Sequence, residues 1–176
     1  MQDTIIAGNE MAGQYSHQLM IAISFGLTSG TITALGMIVG LYSATSSRLA
    51  VVAGIVVMAI ADGLADAIGM HTVEEAESEK GRAKHDVKEI WITTLFTFFS
   101  VSGFILTFVV PILVFPLKTA VFIDIAWGML LLIILNFFIA RIRKESPVKT
   151  ISEHVLSALA VIVVSYYAGV LIAMNF

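Results

Sequence analysis

Five long apolar stretches divide this chain, and they constrain its fold more than any other feature. They cover about residues 19–42, 49–71, 91–115, 119–141 and 152–174, with short polar joints between them. About 20 apolar residues in a helix cross a hydrocarbon core of roughly 30 Å, and a helix satisfies its own backbone hydrogen bonds in lipid. The sequence therefore predicts an all-α, polytopic membrane protein with five transmembrane helices.

The composition favours one membrane domain without a separate water-soluble domain. Of the 176 residues 58% are hydrophobic and 13% are charged, and the mean hydropathy is +0.94. These values are typical of membrane proteins. We expect residues 1–18 to form a cytoplasmic N-terminal segment, residues 19–176 the single transmembrane domain, and residues 72–90 a short charged cytoplasmic loop within it. The absence of cysteine excludes disulfides, thiolate ligands and cysteine nucleophiles.

Cationic residues are distributed unevenly between the two sides of the predicted bundle. Eight of the ten fall in the joints after the second and fourth spans, and two fall on the opposite side. The positive-inside rule then predicts a cytoplasmic N-terminus and a C-terminus that is outside or lumenal. The eight are Lys80, Arg82, Lys84, Lys88, Arg141, Arg143, Lys144 and Lys149, and the two are Arg48 and Lys118.

Glycines recur four residues apart in the first span. Gly26 and Gly30 form one pair, and Gly36 and Gly40 form a second. Small residues at this spacing let membrane helices approach closely. We interpret them as helix-packing residues and expect the small-residue faces of this helix to meet at a dimer interface.

The second span carries two carboxylates one helical turn apart. Asp62, Asp66, Met70 and Glu74 follow each other at four-residue intervals, which places them on one slowly drifting stripe of a helix. A charged aspartate at the bilayer centre costs about 2.5 to 3.5 kcal/mol, so these side chains must face protein or water. One interpretation is a cation or proton path with carboxylate and thioether ligands. The alternative is hydration near the membrane surface, or structural pairing with polar groups of neighbouring helices.

An acidic run follows the second span. It contains Glu74, Glu75, Glu77 and Glu79, and His71 lies just upstream. We expect the helix to continue through this run until Gly81. His71 with Glu74 or Glu75 has the spacing of helical ligand pairs, so these three are candidate metal ligands. The alternative is a solvated helix face whose glutamates pair with the neighbouring lysines and arginines.

Two further polar residues lie in the fourth span. Asp124 is in its first turns, and we interpret it as a carboxylate at the membrane interface, with an exit-side ligand or a proton acceptor as the alternative. Asn136 is nearer the cytoplasmic end, where an asparagine more often bridges helices than binds substrate. No GxSxG, HExxH or phosphate-binding loop is present, so we predict that the protein is not an enzyme.

The first two spans carry a resemblance to a known family. The stretch SFGLTSGTITALGMIVGLYSATSSRLAVVAGIVVMAIADGLADAIGM resembles the opening helix pair of the vacuolar iron transporter family, whose first helix has FG, a DG pair and TTLG, and whose second ends in an SMxxGEY-like motif. VVPILVFP and ARIRKESPVKT extend the resemblance over about residues 19–174. The resemblance implies a five-helix, dimeric protein that carries Fe²⁺ or Mn²⁺ out of the cytoplasm in exchange for protons.

The chain departs from these family motifs at three positions. Ser29 stands where the family's first helix has aspartate, Asp66 where the second helix has methionine, and Met70 where it has glutamate. The resemblance thus implies a rearranged ligand set, with one carboxylate lost from the first helix. A relative that has lost transport is the alternative.

Plant-type members of the same family insert a glutamate-rich metal-binding domain between the second and third helices. Here only residues 72–90 occupy that place. His71 with Glu74 and Glu75 is the candidate substitute for that domain.

Together these features favour a homodimeric, proton-coupled transporter of Fe²⁺ or Mn²⁺ that holds no prosthetic group. Asp62, Asp66 and Met70 of each subunit would border the path, with Ser29 and Asp124 as candidates for the proton or exit path. We expect contact with the lipid bilayer, a second copy, metal ions and protons, and none with nucleic acid. The alternatives are a non-transporting membrane scaffold or partner subunit, or an exporter or channel for another solute. Short loops and the lack of a targeting segment favour a prokaryotic plasma membrane, or a vacuolar or other organelle membrane in a eukaryote.

Overall fold

Six helices and one short strand pair make up the described part of the chain. The computed structural model describes residues 2–79, 82–83 and 86–175, with side chains at 16, 18–77 and 86–175. In chain order the elements are α1 (Gln2–Thr45), α2 (Arg48–Ala76), β1 (Ser78–Glu79), β2 (Arg82–Ala83), α3 (Val87–Thr107), α4 (Val109–Val114), α5 (Leu117–Arg143) and α6 (Pro147–Asn175).

Five segments of this helical fold are long and apolar enough to cross a membrane, with α3 and α4 counted as one. The prediction of five membrane-crossing helices is confirmed to this extent, and the chain is an integral membrane protein. Large apolar side chains are exposed along the helices, as lipid contact requires. The segments are Gln18–Thr45, Arg48–Ala76, Val87–Val114, Leu117–Arg143 and Pro147–Asn175.

Helix α1 is the central helix of the bundle and packs against α2, α3, α5 and α6. Its glycines permit two of these contacts. A Cβ added at Gly26 would lie 2.5 Å from the Ser100 Oγ of α3, and one at Gly36 would lie 2.6 Å from the Val161 Cγ1 of α6. Gly30 also faces α3, and Gly40 faces α6. The expectation that these glycine faces meet at a dimer interface is wrong, because helices of the same chain already cover them.

The third crossing segment is broken near its end. Helix α3 ends at Thr107, and α4 begins at Val109. Pro111 explains the break, because it has no N–H to donate to the carbonyl of Thr107, four residues before it. The guanidinium of Arg48, at the start of α2, donates hydrogen bonds to the carbonyls of Leu113 (3.3 Å) and Phe115 (2.8 Å). An arginine side chain therefore stabilises the end of α4.

The sequence predicted that the second helix continues to Gly81. This prediction is wrong for residues 77–79, which follow the end of α2. Helix α2 ends at Ala76, and β1 then pairs with β2 in an antiparallel register. Gly81 itself lies outside the described residues. We call the end of the bundle with loops 77–86 and 144–146 the basic end, since it carries most of the lysines and arginines. Loops 46–47 and 115–116 form the opposite end.

Candidate functional site

The two aspartates of α2 lie deep in the bundle and are half-buried. Asp62 is midway between the helix ends, Arg48 and Ala76, of a helix about 43 Å long. Asp66 is one turn closer to the basic end, and Met70 is one turn further. Asp62 therefore lies far from both ends of this helix. Glu74, the fourth residue of the predicted stripe, is more deeply buried than the other three and is only 5% exposed.

Hydroxyl groups of α1 bind both carboxylates. Ser29 Oγ donates a hydrogen bond to Asp66 Oδ2 at 2.6 Å, and Thr33 Oγ1 donates to Asp62 Oδ2 at 2.9 Å. The two aspartates on α2 and the two hydroxyl residues on α1 are each four residues apart, so the antiparallel helices form two successive hydrogen bonds. We call this pair of hydrogen bonds the ladder and each hydrogen bond a rung. Thr33 Oγ1 also lies 2.9 Å from the carbonyl oxygen of Ser29. Ser29, where the resembling family has aspartate, thus becomes a donor to a carboxylate on the neighbouring helix.

Asp62, Asp66 and Met70 are too few ligands for a complete cation site. The hydrogen bonds engage Oδ2 of Asp62 and of Asp66, and no hydrogen bond to a described residue engages the second oxygen of either group. These oxygens are hard ligands, and the Met70 thioether one turn away is a softer one. Within the residues that the structure describes, no three His, Asp or Glu side chains converge on one point. A complete coordination shell would therefore need ligands from outside this protomer.

The structure separates the three candidate ligands after Met70. His71 faces α3, where its Nδ1 lies 2.9 Å from Thr94 Oγ1. Its Nε2 lies 3.4 Å from Glu75 Oε1, and the Glu75 side chain is 61% exposed. Glu74 is buried, and among the described residues no three His, Asp or Glu side chains form a group that could hold a metal ion. The predicted set of His71, Glu74 and Glu75 is thus reduced to His71 and Glu75, and it lies on a different face of α2 from Asp62 and Asp66.

Asp124 of α5 has a very different environment. Its side chain is 0% exposed, so the interpretation as an interfacial carboxylate is wrong. It lies about 10 Å along α5 from the start of the helix at Leu117. Neither carboxyl oxygen has a hydrogen-bond partner among the described residues. Buried polar groups without a partner are rare in proteins, and they call for an explanation.

Asn136 does not bridge helices in the described chain. Its Nδ2 donates to the carbonyl of Leu132 in its own helix at 2.8 Å, and its Oδ1 has no partner among the described residues. Asp124, Gly128, Leu132, Asn136 and Ala140 are all buried and follow each other at four-residue intervals. This stripe of mostly polar and small residues is the sequence signal that indicates the protein-facing side of α5.

The basic end contains buried polar residues that the sequence-based prediction missed as a set. Helix α3 buries Glu89, Thr93 and Thr97, again at four-residue intervals. Gln18 of α1 is 1% exposed. The spacing in α3 is a signal that could have been read, because polar residues on one stripe of a membrane helix face protein or water.

Comparison with known proteins gives a relative of undetermined function. The chain is 28% identical over 160 residues to an uncharacterized protein of Methanocaldococcus jannaschii, and the match covers 80% of this chain and 83% of that protein. No protein-family model matches the chain.

Proposed function

We propose that this chain is a homodimeric transporter that moves Fe²⁺ or Mn²⁺ out of the cytoplasm in exchange for protons. The observation that supports this most directly is the pair Asp62 and Asp66 at the middle of a membrane-crossing helix, each with one oxygen held by a hydroxyl and one oxygen available. The resemblance of the first two spans to the vacuolar iron transporter family points to the same function.

The partial exposure of these carboxylates supports a dimer. Asp62 and Asp66 are half-buried by their own chain, and a charged carboxylate left against lipid at this depth costs about 2.5 to 3.5 kcal/mol. A second copy would cover them, and a two-fold axis would bring two carboxylates from each subunit together. Four carboxylates with Met70 thioethers nearby form a ligand set compatible with borderline divalent metals such as Mn²⁺ and Fe²⁺.

The direction of transport is what the resemblance to the vacuolar iron transporter family implies, and the charge distribution supplies the orientation. The basic end would be cytoplasmic by the positive-inside rule, so export would carry metal from there to the opposite end. Asp124 lies in the half of the bundle nearer the opposite end. It is the candidate proton acceptor, because a buried carboxyl without a donor or cation beside it avoids a large desolvation penalty by holding a proton.

Transport by purified protein in liposomes tests this proposal. Wild-type protein should move Fe²⁺ or Mn²⁺, and Asp66→Asn should reduce the flux to the level of empty liposomes while Ser29 keeps a hydrogen-bond acceptor. Asp86→Asn is the matched control, because Asp86 is exposed outside the crossing helices, and it should transport like wild type. Absence of flux with folded wild-type protein would refute the proposal.

A second candidate function is a non-transporting membrane scaffold or partner subunit. The hydrogen bonds from Ser29 and Thr33 favour it, because they show that the carboxylates join α1 to α2. In that case Asp66→Asn should change assembly, measured as the oligomer mass in detergent, without any effect of metal. Flux of another cation but not of Fe²⁺ or Mn²⁺ in the same liposomes would instead indicate an exporter or channel for another solute.

A further inference from the structure

His71 is held between three side chains at the basic end of the bundle. Its Nδ1 contacts Thr94 Oγ1 at 2.9 Å, and its Nε2 faces Glu75 Oε1 at 3.4 Å. The Trp91 ring packs edge-on against the imidazole, with 4.8 Å between the ring centroids. Contacts on three sides fix the orientation of the ring, although the site remains open to solvent through Glu75.

The hydrogen-bond network assigns the tautomer of this histidine. Thr94 Oγ1 lies 2.7 Å from the carbonyl oxygen of Ile90, to which it donates its single hydroxyl proton. The same oxygen can then only accept from His71, so the imidazole carries its proton on Nδ1. Nε2 is left with a lone pair directed at Glu75. Metal-binding histidines are typically oriented in this way, with the second ring nitrogen donating to a fixed acceptor.

The distance between the two facing atoms suits a shared cation. The two atoms form an ion pair when the imidazole is protonated, and with the proton on Nδ1 alone both are acceptors that a metal ion can join. Two ligand bonds of about 2.1 Å at angles of 90° to 109° would place the donor atoms about 3.0 to 3.4 Å apart. The observed separation of 3.4 Å lies within this range. His71 and Glu75 are also four residues apart on one helix, which lets both side chains reach one ion.

We propose that His71 Nε2 and Glu75 Oε1 form a two-residue binding site for a divalent transition metal, and that Thr94 positions the imidazole. Imidazole and carboxylate together suit borderline ions rather than Mg²⁺ or Ca²⁺, and water would complete the coordination. The site is separate from Asp62 and Asp66, which face α1. Its role as a loading site for exported metal rests on the proposed function, whereas binding itself does not.

Trp91 provides a direct reporter for this site. The chain has two tryptophans. The second, Trp127, donates a hydrogen bond from Nε1 to Thr107 Oγ1 in the half of the bundle nearer the opposite end. In a Trp127→Phe background Trp91 is the sole tryptophan, so excitation that selects tryptophan over the four tyrosines reports on Trp91 alone. Titration of the detergent-solubilised full-length protein with Co²⁺, which quenches nearby fluorophores, should give saturable quenching that EDTA reverses.

Variants of the three side chains identify the ligands. His71→Ala should abolish saturable quenching, and Glu75→Gln should weaken Co²⁺ binding at least tenfold. Thr94→Val should weaken binding about tenfold to a hundredfold through loss of the positioning hydrogen bond, and Thr94→Ser should restore it. His154→Ala is the matched control, since His154 contacts only the Thr150 carbonyl of its own helix at the same end, and it should bind like wild type.

A background with Asp62→Asn and Asp66→Asn separates this site from the transport path. Quenching of Trp91 should persist there, even if the liposome experiment shows no transport. Unchanged quenching in His71→Ala, equal losses in His71→Ala and His154→Ala, or loss of quenching in the double asparagine background would each overturn the proposed site.

Discussion

Carboxyl groups occur in two contrasting environments in this bundle. Asp62 and Asp66 on α2 are half-buried, and each accepts a hydroxyl hydrogen bond from α1. Asp124 on α5 is fully buried, and no described residue donates to it. A carboxylate that accepts hydrogen bonds keeps part of the stabilisation that water would give it, whereas an unpartnered one loses it. The first environment therefore opposes negative charge less than the second does.

The largest expected effect is on proton flux. It tests whether Asp124 transfers protons while Asp62 and Asp66 bind metal. If Asp124 is the proton acceptor, Asp124→Asn should lower the proton flux that accompanies metal transport at least tenfold, because an amide cannot exchange a proton. A pH-sensitive dye inside liposomes measures that flux, and a metal-sensitive dye measures metal entry. Asn136→Asp, which places a carboxyl elsewhere on the same buried stripe, should not restore coupling in the Asp124→Asn background. Wild-type proton flux in Asp124→Asn would assign coupling to Asp62 and Asp66 instead.

A smaller effect concerns the stability of the bundle. Asp124→Leu should raise the free energy of unfolding by about 1 to 3 kcal/mol, because it replaces an unpartnered buried polar group with an apolar side chain of similar volume. Thermal unfolding in detergent measures the change. Glu153→Leu, at an exposed helical position, is the control and should have an effect close to zero. A loss of stability in Asp124→Leu would show that the carboxyl has a structural partner.

Ser29→Ala tests the donor side of the ladder. It removes a hydrogen bond of 2.6 Å to a carboxylate and should lower the free energy of unfolding by about 1 to 2 kcal/mol. Ser152→Ala removes a hydroxyl that bonds only the Lys149 carbonyl of its own exposed helical turn, and it should have almost no effect. Equal stabilities of these two variants would mean that the rung between α1 and α2 does not contribute to folding.

The smallest effect is expected one turn further along α1. Thr33→Ala should lower the stability by about 0.5 to 1 kcal/mol, less than Ser29→Ala, because the Thr33 hydroxyl already shares its proton with a backbone carbonyl. Thr33→Ser keeps the hydroxyl and should retain wild-type stability. Unfolding of both variants in the same detergent gives the comparison, and a larger loss in Thr33→Ala than in Ser29→Ala would contradict it.

Hydropathy alone predicted the five crossing segments, because lipid demands about 20 apolar residues in each. It did not predict the end of α2 at Ala76, because the strand pair that follows depends on backbone pairing of Ser78 with Ala83 and of Glu79 with Arg82, which hydropathy does not indicate. The break after Thr107 has its cause in Pro111, whereas the predicted span of 91–115 was continuous. Local sequence therefore located the helices better than it located their ends.

The site was predicted only in part, for a physical reason. In a membrane protein the side chains that face lipid and those that face other helices are both apolar, so apolar periodicity does not indicate which face is buried. The sequence identified Asp62, Asp66 and His71 as candidates, but the register of α1 against α2 was needed to pair them with Ser29 and Thr33. It placed Asp124 at the interface because a sequence shows how far along a helix a residue lies, but not whether its side chain is buried by other helices.

The position of the Thr33 hydroxyl has a consequence for how Asp62 can exchange partners. Its single proton lies within reach of two acceptors, the Asp62 carboxylate and the Ser29 carbonyl, each at 2.9 Å. When a cation or a proton neutralises Asp62, the hydroxyl can turn to the backbone and keep one hydrogen bond throughout. Rotation of this one side chain thus keeps the hydroxyl hydrogen-bonded in both states of the carboxyl group.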